Sequence, residues 1–218
     1  MSLHKKRILI TAGPTWVALD SVRVISNIAT GETGILLAEE LQHLGAKVTL
    51  LLGPAGACCL NKNIRLIRFN FFNELKDKIF RELRNKKYDI VIHSAAVSDY
   101  RPVKVYAKKV KSGSKTWKIN LIPTLKIVDS FRKNNSNLFL VGFKFQPHAG
   151  RKILLQKTKD LLLRANLDLA VANSIDNHGY RAYIVTCCKT YGPMSTKKDM
   201  VKKLIQLIVR QGCRRSEF

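Results

Sequence analysis

The sequence predicts an α/β fold: a Rossmann-like, mostly parallel sheet flanked by helices, in a single domain spanning residues 1–218. Short apolar runs typical of buried strands recur along the chain, with segments of helical period between them. Strands that alternate with helices favour parallel pairing through right-handed crossovers. The 218 residues, 46% of them hydrophobic, are enough to bury one self-sufficient core.

The first half of the chain begins with a strand at 7–12, which ends where Gly13-Pro14-Thr15 interrupts regular structure. Residues 16–30 show no clean period and are predicted to form a long loop. A helix is predicted to begin at Gly31 and to stop at Gly45, since glycine commonly follows the last helical turn. The other elements of this half are strands at 47–51, 64–69 and 89–94 and a helix at 73–84.

In the second half, residues 115–121 alternate in polarity and are predicted to form one strand of a hairpin or flap, within an active-site loop that covers about 100–121. Pro123 is predicted to open a helix running to about Lys133, because the first helical turn tolerates its missing N–H. The chain ends, 1–6 and 212–218, are predicted to be frayed. The other elements are strands at 138–143, 168–173 and 181–186, a helix at 151–164 and a last amphipathic helix around 200–208.

The net charge of +24, from 39 lysines and arginines against 15 acidic residues, indicates anionic partners. Such a charge could attract nucleic acid non-specifically or could attract small phosphorylated substrates. The basic residues are spread along the whole chain, with few aromatic residues among them to stack on bases. The second account is therefore favoured, and no specific nucleic-acid partner is expected.

The sequence contains no apolar run near the roughly 20 residues that cross a bilayer, so no membrane partner is expected. Its first residues lack the apolar segment and cleavage site of a secretory signal, which predicts a cytoplasmic location. The five cysteines include the adjacent pairs Cys58-Cys59 and Cys187-Cys188 and lack the spacing of zinc or redox sites. They are predicted to be reduced, small apolar side chains.

The segment from Ala95 to Arg101 is the most informative, because it follows an apolar strand and contains an acid, Asp99. A lysine cluster that includes Lys109 and Lys111 comes shortly afterwards. Open parallel sheets bind ligands beyond the carboxyl ends of their strands, and flexible lysines there suit a phosphate. The segment predicts phosphate chemistry around Asp99 and Lys109, with a solvated basic loop as the alternative.

Three glycines follow the first strand, but Gly13 and Gly31 are too far apart for the compact G-x-G-x-x-G of dinucleotide enzymes. Residues 30–34 could still expose backbone N–H groups at a helix start, which is a natural anion site. Simple helix capping is the alternative.

The predicted loop before this helix contains polar residues that could bind a phosphate or carboxylate, among them Asp20, Arg23, Ser26 and Asn27. A polar surface loop would look similar. His93 lies in the fourth predicted strand and is expected to be a satisfied strand-end histidine, with a role in the site as the alternative.

Several segments, in order from about Lys6 to Ile208, resemble the phosphopantothenoylcysteine synthetase family. They cover nearly the whole chain, and no flavoprotein half accompanies them, as in the stand-alone form of that enzyme. The segments are Ile10-Thr11-Ala12-Gly13-Pro14-Thr15, Asp20, Val22-Arg23, Ile25-Ser26-Asn27, Thr30-Gly31 with Gly34, Ala95-Ala96-Val97-Ser98-Asp99-Tyr100, Lys109-Val110-Lys111, Val141-Gly142-Phe143-Lys144 and 167–173.

The resemblance implies a ligase of coenzyme A biosynthesis that joins 4′-phosphopantothenate and L-cysteine through an acyl nucleotide, with Mg²⁺ and CTP, or else ATP, and without flavin. It also implies a homodimer in which the flap contributes across the interface, and a separate decarboxylase partner in the pathway.

Lys109 matches the lysine of acyl-nucleotide formation, and Asn27 matches the asparagine that supports the second half-reaction. The implied substrate-binding residues are Arg23, Ser26, Gly31, Ala95 and Ala96; the implied nucleotide-binding residues are Gly13, Thr15, Asp99, Lys111, Gly142, Phe143, Lys144 and Asn173. No metal ligand is assigned.

The chain departs from the family pattern in ways that bear on nucleotide preference. Leu125 replaces a proline, Gln146 and Ser174 stand where acids are usual, and a short turn at 176–181 replaces a longer loop. Two alternatives stay open: a nucleotide-binding protein without ligase activity, and an NAD(P)-dependent reductase of the same sheet class.

Overall fold

A computed structural model describes residues 3–55, 60–134 and 137–212. Its main sheet has eight strands in the order β12-β11-β10-β9-β6-β1-β4-β5, and those from β10 to β5 are parallel. This confirms the predicted α/β architecture. The strands are β1 (Arg7–Ala12), β2 (Trp16–Ala18), β3 (Val24–Ser26), β4 (Lys47–Leu52), β5 (Arg65–Arg68), β6 (Ile90–His93), β7 (Tyr100–Pro102), β8 (Leu121–Pro123), β9 (Phe139–Phe145), β10 (Leu169–Asp176), β11 (Gly179–Val185) and β12 (Thr190–Met194).

Helices cover both faces of the sheet. They are α1 (Glu32–His43), α2 (Phe72–Asn85), α3 (Phe131–Asn134), which continues a 3₁₀ turn at Ile127–Ser130, α4 (Arg151–Arg164) and α5 (Lys197–Gly212). Helices α1 and α5 pack on one face, while α2, α3 and α4 pack on the other. Each layer buries an apolar helix face against the strands, which is the main source of stability in such a fold.

The central strands are apolar on both faces because helices cover both. In β1, Ile8 and Ile10 face α1 and α5, whereas Leu9 faces the opposite helix layer, and all three are fully buried. Thr11, near the carboxyl end of β1, is the first polar residue after this apolar run. Candidate functional side chains therefore lie at the carboxyl ends of the strands, as His93 does in β6, and in the loops that follow them.

The structure corrects two predictions around residues 16–30 and 123. The predicted loop contains the antiparallel hairpin β2–β3. Pro123 does not open a helix: it ends β8, where it lies opposite Tyr100. A proline is tolerated there because this two-stranded ribbon has free edges that require no N–H.

The predicted strand at 115–121 is wrong except at its last residue, since β8 begins only at Leu121. Strand β12, which the sequence did not predict, pairs antiparallel with β11. The strand predicted at 181–186 is present as β11, and it is antiparallel to β10.

The N-terminal segment and the two cysteines that the structure describes also differ from the predictions. Leu3 is buried in the core, so ordered packing begins inside the segment predicted to be frayed. Cys187 and Cys188 are exposed in the turn between β11 and β12 instead of buried as apolar side chains. Cys58, Cys59 and Cys213 lie outside the described residues, as do 1–2 and most of the predicted C-terminal tail.

No helix within the described ranges is long and apolar enough to cross a bilayer.

A buried polar cluster fixes α2 to the edge of the sheet. The carboxylate of Glu82 accepts hydrogen bonds from the Arg65 guanidinium at 2.5 and 3.0 Å and from the Tyr88 hydroxyl at 2.6 Å. Tyr88 in turn lies 3.1 Å from the Thr49 hydroxyl. Burial raises the pKa of Glu82, but the hydrogen bonds from Arg65, Tyr88 and Lys86 outweigh it and lower that pKa to about 2. The ionised carboxylate is thus a stabilising group.

We expect Glu82→Gln to make acid unfolding less steep. The folded pKa is about 2 against an ordinary 4.5, so the ionised carboxylate stabilises the fold above pH 4.5 and this contribution disappears as the pH falls towards 2. The contribution is on the order of 3 kcal/mol at most. Urea unfolding at pH 7 and pH 3 measures it, with Asp77→Asn, an exposed acid of the same helix, as the control. Equal pH dependence in wild type and Glu82→Gln would contradict the assignment.

Candidate active site

The loops that follow β1 and β6 are hydrogen-bonded to each other at the carboxyl edge of the sheet. The Ala96 N–H donates to the Gly13 carbonyl at 2.9 Å, and the Thr15 N–H donates to the Ala96 carbonyl at 3.3 Å. Pro14 and Ala96 form a parallel bridge. The two loops thus extend the sheet by one more pairing and form a rigid floor for the site.

Side chains beneath this floor lock the two loops together. The Ser98 N–H donates to the Thr15 hydroxyl at 2.9 Å, and the Ser98 hydroxyl donates to the Thr15 carbonyl at 3.1 Å. The Thr124 hydroxyl donates to the Ser98 carbonyl at 2.6 Å. Thr15, a predicted nucleotide contact, is fully buried and its hydroxyl is occupied by Ser98, so the structure places it under the site.

Helix α1 begins directly beside this floor. Gly31 adopts the left-handed conformation (φ 76°) and caps the helix without a side-chain hydrogen bond. A Cβ at Gly34 would lie 2.3 Å from the Ala12 Cβ, so only glycine allows α1 to pack this closely on the end of β1. The first N–H groups of a helix carry partial positive charge, which suits an anion.

Asn27 lies over the loop that follows β6. Its side-chain nitrogen donates to the Ala96 carbonyl at 3.0 Å and to the Val97 carbonyl at 3.2 Å. Because both neighbours are acceptors, the amide nitrogen must face them, and the Oδ1 atom points the other way. Ser26, on the same segment, donates to the Thr15 carbonyl at 3.3 Å.

A polar contact fixes the lysine-rich flap (residues 100–123) to the β2–β3 hairpin. The Asp20 carboxylate accepts the Val110 N–H at 3.0 Å, and the Arg23 guanidinium donates to the Val110 carbonyl at 3.3 and 3.4 Å. Asp20 also accepts the Val22 and Arg23 N–H groups and pairs with Arg23 at 3.1 Å. We call this arrangement of Asp20, Arg23 and Val110 the flap clamp.

The flap clamp holds a buried charge. Asp20 is only 5% exposed. Burial raises its pKa, but the N–H groups of Val22, Val110 and Arg23 and the charge of Arg23 together bring that pKa below the ordinary value. Arg23 is further supported by the Trp117 ring, 5.1 Å from its guanidinium carbon. The clamp is therefore intact at neutral pH with its carboxylate ionised.

Lys109 and Lys111 flank the clamped Val110, and both are exposed. Val110 binds the turn of the β2–β3 hairpin, and Asn27 follows β3 at the other end of the same hairpin. Asp99, on the loop after β6, is exposed and forms an ion pair with Lys126. Lys126 was not predicted as a site residue. Its position in the basic stretch that follows Asp99 could have indicated that it pairs with this acid.

The predicted nucleotide residues at the ends of β9 and β10 do not lie together. Strand register puts Phe143 and Asn173 on the face of α1 and α5, and Gly142 and Lys144 on the opposite face. Gly142 is needed for packing, since a Cβ there would lie 2.5 Å from a Leu167 methyl carbon. The Asn173 Oδ1 atom is buried and has no hydrogen-bond partner among the described residues.

His93 ends β6 at the carboxyl edge of the sheet, where an open parallel sheet has its ligand crevice. Its Nδ1 atom lies 2.7 Å from the Thr11 hydroxyl, and its ring meets Phe131 edge-on at 5.3 Å. Burial lowers the pKa of His93 to about 4, so the ring is neutral at neutral pH.

The described residues contain no cluster of three or more histidine, cysteine or acidic side chains that could hold a metal by itself. Asp99 is the carboxylate of the crevice loop. One carboxylate suits Mg²⁺ that takes its other ligands from phosphates and water.

Residues 3–211 match the family model of the DNA/pantothenate metabolism flavoprotein C-terminal domain. The Coenzyme A biosynthesis bifunctional protein CoaBC of Thermococcus kodakarensis is 34% identical over 207 residues, which are 93% of this chain and 51% of that protein. The CoaBC protein of Bacillus subtilis is 35% identical over 81% of this chain and 42% of its own length. The chain thus spans about half the length of the curated relatives it matches.

Solved structures of similar fold extend over almost the whole chain. The DNA/pantothenate metabolism flavoprotein from Streptococcus pneumoniae has a TM-score of 0.85 at 26% identity, covering 94% of this chain and 99% of that one. The C-terminal domain of a CoaBC protein has a TM-score of 0.78 at 26% identity, covering 95% and 96%. A Cab2 mutant in complex with phosphopantothenate-cysteine has the same fold, with a TM-score of 0.78 at 18% identity over 98% and 89%.

Asp20→Asn should detach the flap while leaving the sheet folded. The substitution removes the charge that pairs with Arg23 and weakens the bond to the Val110 N–H, so we expect trypsin to cleave after Lys108, Lys109 and Lys111 about tenfold faster. Hydrogen exchange at the Val110 amide should accelerate in parallel.

Asp176→Asn is the matched control for this experiment. Asp176 also accepts a backbone N–H, from His178, and pairs with an arginine, Arg181, but on the β10–β11 turn. Flap cleavage that is as fast in Asp176→Asn as in Asp20→Asn, or unchanged in both, would show that the clamp does not hold the flap.

Proposed function

The chain belongs to the family of the DNA/pantothenate metabolism flavoprotein C-terminal domain, and on that premise we propose that it joins 4′-phosphopantothenate to L-cysteine. The reaction uses a nucleoside triphosphate and passes through an acyl nucleotide. The observation that carries the proposal is the flap clamp, because it brings Lys109 to the hairpin that ends in Asn27. A cation and an amide at one crevice match the two halves of such a ligation.

In the first half-reaction, a carboxylate oxygen of phosphopantothenate attacks the α-phosphorus of the nucleotide, and the bond to pyrophosphate breaks. Negative charge accumulates on the phosphorus oxygens and on the leaving group. Lys109, with Lys111 beside it, neutralises this charge, and a preorganised cation acts mainly on the transition state. The N-terminus of α1, which Gly31 caps, offers N–H groups to a phosphate of either substrate.

In the second half-reaction, the cysteine amine attacks the acyl carbon, the nucleoside monophosphate leaves and the nitrogen loses a proton. Both N–H donors of Asn27 are bound to the carbonyls of Ala96 and Val97, which leaves its Oδ1 as the free polar atom. An acceptor at this position binds an N–H of the incoming amine and orients its lone pair towards the carbonyl. Such orientation effects can contribute several kcal/mol.

Mg²⁺, when bound with the nucleotide, would neutralise phosphate charge, and Asp99 is the carboxylate that could hold it. We propose CTP as the preferred nucleotide, with ATP as the alternative. Flavin has no place in the proposal, because joining an acid to an amine transfers no electrons. Contacts of Arg23, Ala95 and Ala96 with phosphopantothenate belong to the same proposal.

We also propose that two copies form a homodimer through the flap. The flap and the neighbouring hairpin expose apolar side chains that a partner copy would cover, among them Tyr100, Val103, Val105, Leu121 and Val22. The decarboxylase that supplies the next step of the pathway is a separate activity in this proposal.

Lys109→Ala should reduce the rate of phosphopantothenate-dependent pyrophosphate release by at least about 10²-fold, since the cation at the reacting phosphorus is lost. Release is measured with CTP and with ATP, each with and without phosphopantothenate. Lys115→Ala, an exposed lysine of the same flap, is the control and should keep the wild-type rate. Release that survives Lys109→Ala would overturn the assignment.

Asn27→Ala should separate the two half-reactions. We expect pyrophosphate release to persist while amide formation falls about 10²-fold, so that the acyl nucleotide accumulates and can be detected by mass spectrometry after acid quench. Asn63→Ala, which removes an exposed asparagine before β5, is the control. A parallel loss of both half-reactions in Asn27→Ala would mean that Asn27 only supports the loop at Ala96 and Val97.

A further inference from the structure

His93 lies where three strand ends meet. It is paired in register with Thr11 of β1 and with Gly142 of β9, so all three residues point to the face covered by α2, α3 and α4. Gly142 packs against Leu167, so one side of the imidazole is covered by that strand. Phe131, at the start of α3, closes the other side with its ring at 5.3 Å and an interplanar angle of 67°.

The hydrogen bonds of Thr11 determine which nitrogen of His93 carries the proton. The Thr11 hydroxyl oxygen accepts the Ala95 N–H at 3.4 Å and lies 2.7 Å from the His93 Nδ1 atom. Thr11 is fully buried, and in the described part of the chain no other acceptor faces its hydroxyl proton. That proton is therefore donated to Nδ1, and the neutral ring carries its own proton on Nε2.

The Nε2–H group of His93 is an uncharged donor at the carboxyl end of β6. The ring is half-buried, and no described residue binds Nε2. Burial is nonetheless deep enough to lower the pKa of His93 to about 4. The ring keeps some accessible surface and lies at the carboxyl edge of the sheet, where open parallel sheets bind ligands. The open atom of that ring is a hydrogen-bond donor without charge.

The uncharged donor determines which part of a nucleotide it suits. The phosphates need positive charge, which the lysines beside Val110 and the start of α1 supply. A neutral N–H suits the flat, uncharged part of the ligand, whose carbonyl and ring nitrogens are acceptors. We propose that the His93 Nε2–H donates a hydrogen bond to the base of the bound nucleotide and contributes to the choice of base.

This inference rests on the proposed function only in requiring that a nucleotide binds the crevice. Its test is the dissociation constant, measured by calorimetry for CTP, ATP and inorganic tripolyphosphate with Mg²⁺ and without the other substrates. His93→Met removes the donor at similar volume and should weaken binding of the preferred nucleotide about three- to tenfold. Binding of tripolyphosphate, which has no base, should not change.

Two further variants keep the test informative if His93→Met folds poorly, which thermal unfolding would reveal. His93→Gln retains an N–H donor on a side chain of similar reach and should bind nucleotide within about twofold of wild type. Thr11→Val keeps the ring but removes the hydroxyl that fixes its tautomer, and should weaken nucleotide binding about two- to fivefold.

Different outcomes would overturn the inference and the proposed function. Unchanged nucleotide affinity in His93→Met, or an equal loss with tripolyphosphate, would show that His93 does not bind the base. A wild-type protein that binds nucleotide with this dependence on His93 but forms no amide would contradict the ligase proposal and leave the role of His93 standing.

Discussion

The contact between the buried Asp20 carboxylate and the backbone of Val110 is the constraint on which the site depends. One further backbone bond joins the flap to this hairpin, from the Tyr106 N–H to the Leu19 carbonyl at 3.0 Å, whereas β7 and β8 of the flap pair with each other. Asp20 organises its own hairpin through the Val22 and Arg23 N–H groups and then binds the flap with its remaining oxygen. One carboxylate thus sets both the hairpin geometry and the position of the lysines beside Val110.

The sequence predicted the long elements well because each buries a continuous apolar face. Helices α1, α2 and α4 and the inner strands follow such periods, and all are present. The hairpin β2–β3 and the ribbon β7–β8 were missed, since strands of three residues are too short to show a period. They are stabilised by distant partners, as where the Thr124 hydroxyl binds the Ser98 carbonyl.

The sequence proposed residues for the site but could not predict the contacts that they make. The resemblance pointed to Asn27 and Lys109, but the use of both Asn27 donors by backbone carbonyls depends on a loop 69 and 70 residues away in sequence. Alternation along β9 already implies that Phe143 and Lys144 face opposite sides of the sheet. The register between β9 and β10 decides which of the two shares a face with Asn173. No local sequence pattern determines that register.

Strand β12 bears on how copies of this chain can associate. It forms one outer edge of the main sheet, where unpaired backbone groups would otherwise invite strand-to-strand aggregation. Pro193 lacks an N–H, and Lys189 places a cation at the start of the strand. Growth of the sheet from one molecule into the next is disfavoured at this edge.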